Sequence, residues 1–163
     1  MKAFELDEIH WFKIARRGHE HGVNMYLMTL VSRKPRQIVG FAVGASVNAW
    51  QIQHMVDGAP PARRYFADGC RVYRSVDFMG RLRQNYRDKG ETHIVEGTNA
   101  DLRCYVAGLQ RRSRCFFRKD ETVMAVLWVF VNAYNKFGEW KRRRRELDPG
   151  CSRHYPNHHI RFI

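Results

Sequence analysis

Three carboxylates stand out by where the surrounding sequence puts them. Asp7 lies inside Phe4 to Ile14, a run apolar enough for a strand covered on both faces. A carboxylate buried there is costly unless a cation or hydrogen bonds compensate it. Asp68 follows Tyr65-Phe66-Ala67 and precedes Gly69, at the C-terminal end of an expected strand. That end is where open sheets with parallel strands bind ligands. Glu96 lies in a segment of helical period. At about 100° per residue, Arg103 returns to within about 20° of Glu96, and Asn99 lies about 60° away. Leu102, Val106 and Leu109 form the apolar flank beside them. Each residue also has a plainer reading: an Asp-Gly turn, a satisfied strand acid at a sheet edge, and an amphipathic helix with a solvated polar face.

Brought together without a cation, three carboxylates repel and at least one keeps its proton. Two divalent ions remove that penalty, and a pair roughly 3.5–4 Å apart activates an attacking oxygen and stabilises the leaving oxygen of a phosphodiester. Mg²⁺ suits such a site because it takes a few carboxylates together with phosphate oxygens and water. Glu5, Glu8, Glu91 and Asp101 compete for these roles. Glu5 shares Asp7's side of the strand and is a candidate supporting residue, whereas Asp101 lies about 140° round the helix from Glu96 and points away.

The overall charge agrees with a phosphate-bearing partner. The chain has 163 residues, 29 Lys+Arg against 16 Asp+Glu, a net charge of +13 and a pI near 10.1. Such an excess points to a polyanion, most simply nucleic acid. Tyr105, Arg111, Arg112, Arg114, Phe116, Phe117 and Arg118 interleave cations with aromatics. There the arginines are expected to hold phosphates and the aromatics to enter the core. Lys141 to Arg145 is a further run of cations, read either as a nonspecific grip on DNA or as a solvated tail. Ten Phe, seven Tyr and four Trp supply a core, which excludes global disorder. The longest apolar run, Val123 to Val131, has nine residues, half of what a bilayer span needs. No membrane partner is expected, and no signal-peptide pattern opens the chain. A cytoplasmic, nucleoid-associated protein is expected. Cys70, Cys104, Cys115 and Cys151 form no Cys-x-x-Cys pair. Cys151-x-x-His154 with His158 and His159 has zinc-compatible spacing but no second cluster to complete it.

The elements that must position the acids follow from pattern. Phe4 to Ile14, Asn24 to Val31 and Gln37 to Val43 read as an antiparallel three-strand meander, with Ser32 to Arg36 as one turn. A helix fits Ser46 to Val56, with Ser46 as its cap, and Arg63 to Ala67 reads as a strand. A short helix and a strand near Leu82 to Tyr86 follow, then helices from Thr92 to Arg112 and from Asp120 onward. The last carries Val123, Val126, Leu127, Phe130, Val131 and Tyr134 as its buried stripe. The expected fold class is α/β, a mixed sheet with helices packed on it. Its domain plan is 1–118 as one domain, 119–141 as a C-terminal helix packed on it, and 142–163 as a basic, flexible tail.

At these residues the chain resembles bacterial DDE transposases of the insertion-sequence IS-one type. The matching stretches are Leu6-Asp7-Glu8 with Trp11, Phe66-Ala67-Asp68-Gly69 with Tyr73, and Thr92-His93-Ile94-Val95-Glu96-Gly97-Thr98-Asn99-Ala100-Asp101-Leu102-Arg103 running on to Gln110-Arg111-Arg112-Ser113-Arg114-Cys115-Phe116. The resemblance spans roughly residues 4 to 137. Cys70 stands where that family often has Trp, and Trp11 stands one position late. The resemblance implies a ribonuclease-H-like catalytic domain with two Mg²⁺ (or Mn²⁺) ions held by Asp7, Asp68 and Glu96, with Asn99 and Arg103 supporting the site or touching DNA. It further implies nicking of double-stranded DNA at transposon ends and attack of the freed 3′-hydroxyl on target DNA by a homo-oligomer. Only six residues precede Asp7, where the family carries a DNA-recognition region, so an upstream frame supplying one is an expected partner. The alternatives are a noncatalytic basic DNA-binding or regulatory remnant, and a ribonuclease-H-like nuclease that cuts without joining.

Overall fold

The computed structural model describes residues 2–13, 23–85, 91–110, 117 and 119–137. Five strands form one mixed sheet: β1 (Ala3–Lys13), β2 (Val23–Ser32), β3 (Gln37–Gly44), β4 (Arg64–Ala67) and β5 (Leu82–Gln84). Their order is β3-β2-β1-β4-β5. The first three strands are antiparallel neighbours, while β4 pairs in parallel with β1, and β5 with β4. Helix α1 (Ala49–Asp57) provides the crossover from β3 to β4, and α2 (His93–Tyr105) and α3 (Asp120–Phe137) follow β5. The α/β class with a mixed sheet and the three-strand meander is thus as expected.

Side-chain alternation along β1 divides the core into two layers. Phe4 and Leu6 join Met28, Leu30 and the buried α1 residues Ile52, Met55 and Val56 on one face. Ile9 and Trp11 join Leu27, Val95 and Leu102 of α2, and Val123, Leu127 and Val131 of α3, on the other. β1 is therefore central and covered on both sides, which removes the reading of Asp7 as an edge-strand acid. A bulge in β3, where Gly40 pairs with Leu30 but Ile38 pairs with Val31, leaves Val39 as an extra residue. At Gly40 a Cβ would stand 2.6 Å from Met55 Cγ, so glycine there lets α1 lie against the sheet.

Four local expectations need correction. The cap of α1 is Asn48, whose side chain accepts the Trp50 N–H, and not Ser46. Asx oxygen reaches the second helical N–H when the cap residue is extended, as Asn48 is at φ −126° and ψ 126°. The helix expected to reach Arg112 ends at Tyr105, because Val106 turns extended and a 3₁₀ turn, Ala107–Leu109, follows. The expected short helix after Arg71 is a 3₁₀ turn, Arg71–Ser75. On α3, Val126 is exposed, and Val123, Leu127 and Val131 alone form the fully buried line. Arg111, Arg112, Arg114, the Lys141 to Arg145 run, the Cys151/His154/His158/His159 group and the 142–163 tail lie outside the described residues.

Candidate active site

Strand register brings the first two carboxylates together. β1 and β4 pair until Leu6 faces Ala67. Asp7 and Asp68 are the next residues on neighbouring parallel strands, which lie about 4.8 Å apart. From there β4 ends, whereas β1 runs on to Lys13 paired with β2 alone. The end of β4 beside the continuing β1 leaves an opening at the carboxyl end of the parallel pairing, where such sheets bind ligands. A cleft of about 260 Å³ lies here, lined by Asp7, Glu8, Asp68, Thr92, Glu96, Asn99, Ala100 and Arg103. Asp7, Asp68 and Glu96 thus reach one cleft from three elements, with Asn99 and Arg103 of α2 beside them.

Helix α2 is seated by Glu5. That side chain is fully buried, and its Oε2 accepts the N–H groups of Ile94 and Val95 at 2.9 and 2.8 Å. Its Oε1 accepts from Arg33 Nε at 2.6 Å. A carboxylate at the first turn satisfies helix N–H groups and complements the helix dipole. Glu5 does not line the cleft, so it drops out as a competing ligand and acts by placing α2. One turn further along, Asn99 is buried and oriented from two sides. Its Nδ2 donates to Asp7 Oδ2 at 2.9 Å, and its Oδ1 accepts from the Thr29 hydroxyl at 2.9 Å. Thr29 faces Asp7 across β1 and β2, so strand pairing and helix docking meet at this contact.

The other acids are held as firmly. The Cys70 N–H donates to Asp68 Oδ1 at 2.9 Å, closing a turn over Gly69, and Gln84 Nε2 donates to the Asp68 and Cys70 carbonyls. Glu8 points to the α1 side of the sheet, where the buried Tyr73 hydroxyl donates to its Oε2 at 2.8 Å. Glu91 and Asp101 turn elsewhere. Glu91 Oε2 lies 3.4 Å from Arg83 Nε, and Asp101 accepts from the Tyr134 hydroxyl at 3.3 Å.

The electrostatics show that the acids sense one another. Burial raises the Asp7 carboxyl above its usual range; the Glu8 backbone N–H and the Asn99 amide lower it, and the charges of Asp68 and Glu96 raise it again. Burial likewise raises Glu8, with Tyr73 opposing and Asp68 and Asp7 adding to the rise. Burial and then Glu8 push the Tyr73 phenol well above its ordinary value, so it serves as a neutral donor. The Cys70 thiol is raised by burial and then by Glu8 and Asp68, which makes it a poor nucleophile.

Among the described residues, no three His, Cys, Asp or Glu side chains are drawn into a ready-made metal ligand set. The donor chemistry of the cleft nonetheless fits a hard divalent cation. Its acidic side chains, Asp7, Glu8, Asp68 and Glu96, offer the oxygen donors such a cation takes, and Asp7 and Glu8 carry a raised pKa that a cation would relieve. No protein-family model and no curated protein matches the chain.

Sequence reasoning missed Thr29 and Gln84, and treated Glu8 as one of several competing acids. Thr29 carries a weak signal as a hydroxyl among Met25 to Val31. Finding Gln84 requires knowing that β5 lies beside β4.

Proposed function

We propose that this chain is a metal-dependent phosphodiester-cleaving enzyme acting on DNA, the ribonuclease-H-like catalytic domain of a DDE transposase. The observation that carries the proposal is the convergence of Asp7, Asp68 and Glu96 on one cleft, beside the middle of β1 and the carboxyl end of β4. The strand order supports it too, with three antiparallel strands followed by two that run parallel to β1. Among the described residues no helix is long and apolar enough to cross a membrane.

Asp7, Asp68 and Glu96 would hold divalent ions, with Glu8 lining the cleft from the α1 side of the sheet. Bound there, such ions supply activation of the attacking oxygen and neutralisation of charge on the leaving oxygen. The protein's own residues do the positioning. Asn99 fixes the plane of the Asp7 carboxylate, and the turn over Gly69 fixes that of Asp68. Glu5 sets the depth at which α2 presents Glu96. Arg103 places a cation at the cleft for the phosphate that must enter it. Water attacks the phosphorus, the P–O3′ bond breaks, and the strand leaves with a 3′-hydroxyl. In the joining step that hydroxyl attacks a target phosphodiester in the same way, and no covalent bond to the protein forms.

Nicking of duplex DNA in Mg²⁺ or Mn²⁺, with an upstream DNA-recognition region fused, tests the proposal. Asp68→Ala is expected to abolish cleavage while DNA binding persists. Cleavage unchanged by that substitution, or no metal-dependent cleavage by the parent chain, would overturn it. Nicks without joined products would reduce the activity to that of a nuclease.

A further inference from the structure

The two ends of the parallel strands carry opposite charge. The acids of the cleft stand at the carboxyl end of β4. At the other end β1, β4 and β5 begin and β2 finishes, and each brings cations. The Arg63 N–H donates to the Lys2 carbonyl at 3.0 Å. The Arg33 N–H donates to the Ala3 carbonyl at 2.9 Å, which puts Lys34 beside the start of β1. Arg64 opens β4 opposite Ala3. The Tyr65 N–H donates to the Arg81 carbonyl at 3.0 Å, which sets Arg81 at the start of β5. Lys2, Lys34, Arg63, Arg64 and Arg81 are all exposed. They come from segments far apart in the chain, so no run of cations in the sequence marks them.

Neighbouring acids leave this charge in place. Glu5 is taken by Arg33 and Glu91 by Arg83, and no described carboxylate forms an ion pair with Lys2, Lys34, Arg64 or Arg81. The exposed acids Asp57 and Asp77 gather at Gln53 on the α1 side. Arg81 is also held in position. Its Nη1 donates to the Ala62 carbonyl at 2.8 Å, and its own N–H closes a tight turn on the Phe78 carbonyl at 3.1 Å. A side chain fixed in advance loses less freedom when a ligand binds it.

Strand spacing turns these residues into a row. The strands lie in the order β2-β1-β4-β5, about 4.8 Å apart, so their ends span about 14 Å. One strand of duplex DNA advances about 3.4 Å per nucleotide, so about four successive phosphates cover that length. We infer that this end of the sheet is a second DNA surface, on which the phosphates of a duplex lie along the row from Lys34 to Arg81. Lys2 precedes Asp7 by five residues and Arg64 precedes Asp68 by four, which sets the row about 13–17 Å from the cleft. Contacts of this kind position DNA without reading its sequence. The two surfaces differ in what they need. Without a divalent ion the cleft offers a phosphate four carboxylates against Arg103 and repels it, whereas the row attracts it with or without metal. The inference shares the DNA partner of the preceding reading but not its metal chemistry.

The test is binding of a short fluorescent duplex by the full chain in EDTA, read by anisotropy across a salt series. Each phosphate contact contributes about 0.9 to the slope of log K against log salt. The triple variant Lys2→Gln, Lys34→Gln, Arg64→Gln is expected to lower that slope by about 2.7, so that between about 50 and 200 mM salt it loses roughly 40-fold less affinity than the parent. Lys34→Gln alone, in an exposed turn, is expected to lower the slope by about 0.9. Arg71→Gln removes the same unit of charge three residues after Asp68, off the row, and is expected to leave the slope unchanged. All four residues are exposed, so unchanged circular dichroism spectra are expected. A parent chain that binds no DNA in EDTA would overturn the inference. So would variants of the row that keep the parent's slope, or an Arg71→Gln that lowers it as much as Lys34→Gln does. Loss of the cleavage reading, through nicking that survives Asp68→Ala, would leave these slopes untouched.

Discussion

Replacing Glu5 with alanine tests whether α2 is held from the strand beneath it. The substitution removes the acceptor of two helix N–H groups and the buried partner of Arg33. Val95 is buried, so its N–H is left without water and costs about 1–3 kcal/mol. Ile94 is partly exposed, and water recovers much of its loss. Arg33 is 27% exposed and also lies over the Phe66 ring at 3.7 Å, so it turns outward at a smaller penalty than a sealed charge would suffer. The sum is about 3 kcal/mol, a large part of a typical stability of about 5–15 kcal/mol. For a chain of this size that lowers Tm by roughly 6–12 °C. Glu5→Gln keeps an acceptor for both N–H groups but turns an amide donor, in place of the charged acceptor, toward Arg33, which can swing outward, so about 1–2 kcal/mol is expected. Urea unfolding followed by circular dichroism measures both, and hydrogen exchange at Val95 and Glu96 localises the effect. A loss under about 1 kcal/mol for Glu5→Ala, or equal losses for the two variants, would refute this anchoring of α2.

Three further outcomes follow from the cleft. Asp7→Asn removes a carboxylate whose pKa is raised by burial, so the metal-free protein gains about 0.5–2 kcal/mol at neutral pH by thermal unfolding while cleavage is lost; a destabilised variant contradicts this. The folded-state pKa values of Asp7 and Glu8 lie above their unfolded values. Their contribution to stability is therefore fully present below the usual carboxylate range and is lost as pH rises through the raised values. Stabilisation by added Mg²⁺ should accordingly grow from pH 5 to pH 8, roughly the span over which such groups ionise, and a pH-independent Tm shift would count against carboxylate ligation. Thr29→Val leaves the Asn99 carbonyl without its hydroxyl donor, costing about 1–3 kcal/mol, and frees the amide that orients Asp7. Cleavage by that variant should fall more than DNA binding does.

Much of the cleft was legible in the sequence because its signals are local. A carboxylate inside the apolar run at Asp7, another directly after a strand at Asp68, and a helix face joining Glu96, Asn99 and Arg103 all depend on periods and chain order. The same signals specified the meander and the long α3. Other features depend on contacts between segments far apart in the chain. Residues 5 and 94 meet only because α2 docks at one position along β1. Thr29 opposes Asp7 only in the register that β1 and β2 adopt, and a shift of one residue would turn it to the other face. Helix period could not separate Val126 from Leu127, since only the sheet's position decides which side of α3 is covered. Residue types and spacing therefore determined which groups could do chemistry. Packing and register, which no short stretch of sequence encodes, decided which of them meet in the cleft and which, like Glu5, hold it in place.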